Sequence, residues 1–104
     1  MMFRRLYWVT EQVDSLGNSR ILGVYTSIPE LIRHGLNGDE IKGRLRLTLT
    51  KLDSDKGLFG TWSEPQFHGL AERLNDFVQT DEFSPEHCQM LLEALKRRSS
   101  SIAA

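Results

Sequence analysis

The sequence predicts an α+β fold: a four-stranded antiparallel sheet with helices packed on one face, in the order ββαββαα. Three observations carry this reading. Arg44-Leu45-Arg46-Leu47-Thr48-Leu49-Thr50 alternates leucine with polar residues throughout, the period of a strand with one side in a core. Ser27, Ser63 and Ser84 each stand one or two residues before a proline, so the three prolines mark helix beginnings and not breaks. A chain of 104 residues has room for one domain. By area scaling it buries roughly 65% of its unfolded surface, enough for a core without a metal or disulfide staple.

The elements follow in chain order. Phe3 to Val13 is rich in aromatic and β-branched residues and reads as a strand, and Asp14-Ser15-Leu16-Gly17-Asn18 turns it back into Ile21-Leu22-Gly23-Val24-Tyr25. Ser27-Ile28-Pro29-Glu30 is a capping box, the serine accepting from the Glu30 N–H while the glutamate reaches back to the serine N–H. The short helix that follows buries Ile28, Leu31 and Ile32 and ends where Gly35 takes a left-handed cap. A polar connection with a turn at Asn37-Gly38 leads to the leucine strand. Asp53-Ser54-Asp55-Lys56-Gly57 closes a second hairpin onto Leu58-Phe59-Gly60-Thr61-Trp62. Ser63-Glu64-Pro65-Gln66 reads as the start of a second helix with Phe67, Leu70, Ala71, Leu74, Phe77 and Val78 on its apolar stripe. Ser84-Pro85-Glu86 opens a third, with Cys88, Leu91, Leu92 and Leu95 inward and Lys96-Arg97-Arg98 at the carbonyl end of the helix dipole.

The expected organisation is a single domain over 1–98 with a C-terminal helix over 85–98 and a flexible tail over 99–104. Segments 3–36 and 44–79 look alike. Each runs strand, Asp-Ser turn, a strand with Gly23 or Gly60 two residues before Tyr25 or Trp62, then the serine-proline pair, with 36 residues between Ser27 and Ser63. Duplication of a ββα unit and independent selection of the same turn and cap residues both account for this.

Composition excludes several functions. Thirteen Lys plus Arg against fourteen Asp plus Glu leave a net charge of −1, which does not suit bulk polyanion binding. No stretch approaches the roughly 18 apolar residues of a membrane span, and Leu6 to Val9 is half the minimal core of a signal peptide. One cysteine, Cys88, cannot form an intrachain disulfide, which fits a reducing cytoplasmic setting. No metal or cofactor is expected. His34, His68, His87 and Cys88 have no metal-ligand spacing, and phosphate-loop and dinucleotide signatures are absent. Asp53, Asp55 and Glu64 echo a calcium loop, but Gly57 and Leu58 stand at the fifth and sixth positions, where a ligand and a glycine belong. Cys88 reads as a small buried hydrophobe, slow to react.

What remains is surface. Arg44 and Arg46 share the outward side of their strand, and Arg4, Tyr7 and Trp8 sit on a strand expected beside it. These five residues are the expected partner-binding surface of a non-catalytic interaction, assembly or regulatory module, its partner an unknown protein or a second copy. The same guanidinium and aromatic groups suit stacking on single-stranded RNA, although no RNP-like motif accompanies them. A small enzyme or ligand-binding domain using His68 or His87 is the third reading, and it requires a pocket joining a histidine to carboxylates. Residues 1–60 carry net +2 and residues 61–104 net −3, an asymmetry suited to steering a protein partner.

Overall fold

A computed structural model of the chain describes residues 6–36, 43–51 and 58–103. The start of the first strand before Leu6, the Asn37-Gly38 turn and the Asp53–Gly57 turn lie outside them. Strands β1 (Leu6–Val13), β2 (Ser19–Tyr25), β3 (Arg44–Lys51) and β4 (Leu58–Ser63) form one antiparallel sheet in the spatial order β2-β1-β3-β4. Each hairpin thus supplies one central and one edge strand. The Asp14 carboxylate sets the first turn, its Oδ1 accepting from the Leu16 and Asn18 backbone N–H groups, both at 2.9 Å.

Alternation along the two central strands decides which side is the core. Leu45, Leu47 and Leu49 are fully buried, and Leu6, Trp8 and Thr10 face the same way from β1. Helices cover that side alone, as the leucine pattern requires. Helix α1 (Ile28–Glu30) continues directly as a π-helical turn over Leu31–Gly35, with the Leu36 N–H donating to the Leu31 carbonyl at 3.1 Å. Ser27 caps it as expected, its Oγ accepting from the Glu30 N–H at 3.3 Å. The Glu30 carboxylate does not close a capping box; it turns to Arg33 and His34, at 3.5 and 3.4 Å. Nor is Gly35 left-handed. It is small because the Tyr25 ring lies against it: a Cβ there would stand 2.7 Å from a ring carbon.

The second helix begins later than the Ser63-Glu64-Pro65-Gln66 pattern predicts. Ser63 is the last residue of β4, paired with Arg46 in the ladder, so it is not a cap. Residues 64–69 form turns in which Phe67 (φ 48°) and Gly69 (φ 83°) are left-handed, and α2 occupies Leu70–Gln79. The physical reason is Glu64, whose side chain runs into the core instead of standing at a helix start. Phe67 is buried as the stripe required, but from the turn, whereas Ala71 is exposed. Leu70, Leu74 and Phe77 form the buried side of α2. Helix α3 (Pro85–Ala103) starts where predicted, Ser84 Oγ accepting from the His87 N–H at 3.1 Å, and its backbone continues past Arg98. Cys88, Leu91 and Leu95 face inward with Ala94, while Leu92 is half-buried. Trp8 anchors an aromatic group, 6.3 Å from Trp62 and 5.8 Å from Phe83, which meets Phe77 edge-on at 5.3 Å.

The two hairpins share a construction finer than the sequence similarity implied. Tyr25 pairs with Trp8 and Gly23 with Thr10, then a bulge at Leu22 shifts the register; Trp62 pairs with Leu47 and Gly60 with Leu49, then a bulge falls at Phe59. In both, the ring folds back over the glycine two residues earlier. A Cβ at Gly23 would stand 2.6 Å from the Tyr25 hydroxyl, and one at Gly60 would collide with the Trp62 ring.

Candidate contact surface on the open sheet face

The side of the sheet away from the helices is built in rows by the strand registers. One row runs Val24, Val9, Thr48, Thr61 across all four strands, and the next runs Ile21, Glu11, Arg46, Ser63. Tyr7 and Thr50 stand side by side further along. Ile21 is 64% exposed and Val24 56%, whereas Val9, Tyr7 and Thr48 are half-buried by their neighbours. The β1–β2 half is therefore aliphatic and the β3–β4 half hydroxylated.

In the centre of this face Arg46 and Glu11 neutralise each other. Arg46 Nη2 donates to Glu11 Oε2 at 2.7 Å and its Nε to Oε1 at 3.3 Å, a two-point pairing. The Glu11 hydrogen bond and, to a lesser extent, its charge hold the guanidinium pKa above its ordinary value, against an opposing effect of burial. Thr48 Oγ1 also donates to Glu11 Oε1 at 3.4 Å, and the Thr48 and Thr61 hydroxyls lie 3.2 Å apart.

Of the five residues expected on this surface, Tyr7, Arg44 and Arg46 are on it. Trp8 is not: it is 1% exposed on the helix side, because it shares the parity of Leu6 and Thr10. Arg4 lies outside the described residues. Arg44 is exposed and has no ion-pair partner among the described residues, so it is the free cation there while Arg46 is neutralised. Ile21 and Val24, the exposed large aliphatic residues of this face, were absent from the expected set. Their period-2 signal is broken by the bulge, which puts residues three apart on one side.

Glu64 is buried, and its Oε1 accepts from the Leu45 N–H at 2.6 Å and from Arg98 Nε and Nη2 at 3.1 and 3.0 Å. It fastens α3 to the head of β3, across 34 positions in sequence that no local pattern spans. A groove of about 250 Å³ lies between the 65–67 turn, α2 and α3; Phe67, Leu70, Leu92 and Leu95 wall it, and Gln66 and Lys96 supply its polar groups. Among the described residues no histidine, cysteine or carboxylate lines it. His68 and His87 are exposed, one on the turn before α2 and one on α3. Burial pushes the Cys88 thiol pKa up. The Trp8 indole N–H is buried with no hydrogen-bond partner among the described residues, and Trp8 does not line the groove. Among the described residues no group of three metal-ligating side chains occurs, and no helix is long and apolar enough to cross a membrane. Comparison of the chain with protein-family models, curated proteins and solved structures finds no match.

Proposed function

We propose that this domain is a non-catalytic contact module that holds a protein partner against the open face of its sheet. One observation carries the reading: among the described residues helices cover one side of the sheet, and the other presents short β-branched side chains in the row Val24, Val9, Thr48, Thr61, beside an ion pair that needs no outside counter-charge. The aliphatic part of this surface loses little polar solvation when covered, and its β-branched side chains have few rotamers to freeze, so contact is favoured over hydration there. Arg44 at one end supplies a cation to orient an acidic partner segment. The single buried cysteine agrees with work in a reducing cytoplasm.

The RNA reading draws less support, since Trp8 belongs to the core and Arg46 is held by Glu11, leaving, of the expected set among the described residues, Tyr7 and Arg44 for stacking and phosphate contact. Catalysis lacks an acid–base pair in the groove. The test is quantitative affinity capture from the native host with the wild-type chain, a Val9→Glu variant, and a Glu72→Lys variant on the helical side as control. Proteins held by the wild type and by Glu72→Lys, and lost from Val9→Glu, are the expected result. A capture profile indifferent to Val9→Glu overturns the proposal, and a profile dominated by RNA replaces it with the nucleic-acid reading.

A further inference from the structure

We infer that strand β2 pairs with β2 of a second copy of this chain, in one register, to make a continuous eight-stranded sheet. This goes beyond the open-face reading, because it uses the edge of the sheet and is tested on the purified protein alone. Strand β2 is an edge, so the main-chain groups on its outer side meet no other strand among the described residues. Of the usual protections it carries the bulge at Leu22 and one charge, Arg20; within Ser19–Tyr25 there is no proline, lysine or carboxylate, and Ile21, Leu22 and Val24 are exposed.

A foreign strand would satisfy those main-chain groups equally well; what singles out a second copy is the bulge at Leu22. Strands paired in a sheet must present partners on the same face. A regular strand meeting its own antiparallel image is therefore restricted to registers centred on a residue. Here the bulge reverses parity midway: Ser19, Ile21 and Val24 share the open face, and Arg20, Gly23 and Tyr25 the helix face, as their β1 partners show. A two-fold axis midway between Leu22 and Gly23 then matches the strand to its own image. It sets Ile21 of each copy opposite Val24 of the other, and Arg20 opposite Tyr25. The two most exposed aliphatic residues of the strand cover one another, the cation meets an aromatic residue instead of its own image, and the bulged Leu22 of each copy lies opposite Gly23 of the other. Centring the axis one residue earlier, between Ile21 and Leu22, also preserves faces but sets Val24 against Ser19 and Ile21 against the bulged Leu22. A register centred on Leu22 sets open-face residues against helix-face ones.

The test is sedimentation equilibrium of the full chain. The wild type is expected to dimerise below about 0.1 mM, the regime of a modest interface. Ile21→Glu or Val24→Lys alone should weaken the dimer by at least about tenfold, and the two combined should recover most of that loss, because the register makes each glutamate face a lysine of the other copy. If either charged variant misfolds by circular dichroism, the decisive variant is Ile21→Cys with Val24→Cys, both at exposed positions. Three residues apart on an extended strand, the introduced thiols are too far apart to bridge within one copy, and mild oxidation should link two chains covalently while Cys88 stays buried. A wild type that is monomeric at 0.1 mM, a dimer indifferent to the single substitutions, no recovery in the double variant, or no covalent dimer overturns the inference. None of these outcomes bears on Val9→Glu and the lysate capture, so the two proposals fail separately.

Discussion

Glu64 does what neither its neighbours in sequence nor its exposed homotypes do: it enters the core and collects three donors on one oxygen. The pairing with Arg98 is almost wholly buried, so losing one partner strands a charge. Arg98→Met should cost about 3 kcal/mol in denaturant unfolding, and Glu64→Gln with Arg98→Met together clearly less than the sum of the singles. Strict additivity would mean that the two side chains do not interact. Cys88 makes a second prediction at this scale. Its folded-state pKa is raised, so the thiol's contribution is intact below the unfolded value of about 8.5 and declines as pH rises above it, where only the unfolded chain ionises. Between neutral pH and pH ~9.5 the wild type should lose more stability than Cys88→Ala. Equal losses, or rapid native-state alkylation at neutral pH, would remove the buried-thiol account. Glu64 could not have been found from the sequence, because its role depends on residues 19 and 34 positions away. The inward placement of Cys88 was legible from helical spacing alone.

Among elements, the strands were easier to read than the helix beginnings. Leu45, Leu47 and Leu49 carry the period-2 signal on every other position, and tertiary structure has no competing use for them. The three serine-proline patterns look equivalent in sequence, yet Ser27 and Ser84 cap helices while Ser63 lies in a ladder. The difference is tertiary: the residue after Ser63 is drawn inward by Leu45 and Arg98, which pulls the backbone through left-handed turns before α2 can start. Ser84→Ala should therefore cost about 1 kcal/mol, whereas Ser63→Ala, exposed and without a capping bond, should stay within about 0.5. Thermal unfolding of the two variants measures this, and equal losses would restore Ser63 as a cap. On the open face, Arg44 and Arg46 were legible as outward residues, but the Glu11 carboxylate that neutralises Arg46 sits 35 positions away. Ile21 and Val24 were hidden by the bulge, whose one sequence signal is the neighbouring Gly23.

For the whole molecule, the two hairpins meet along β1 and β3, so the most protected hydrogen bonds are those between strands from different halves. Amide exchange at concentrations where the chain is monomeric should be slowest in β1 and β3 and faster at the outer positions of β2 and β4. Uniform protection across the four strands would contradict a sheet with free edges. The strand order has a further consequence during synthesis. From the end of β1 at Val13 to the end of β3 at Lys51 the ribosome must add 38 residues, about two to eight seconds of elongation. Through that interval a nascent chain holds Trp8 and Thr10 without the leucine row beside them. This is the moment at which a chaperone, or a wrong neighbour, has its best opportunity to engage the polypeptide.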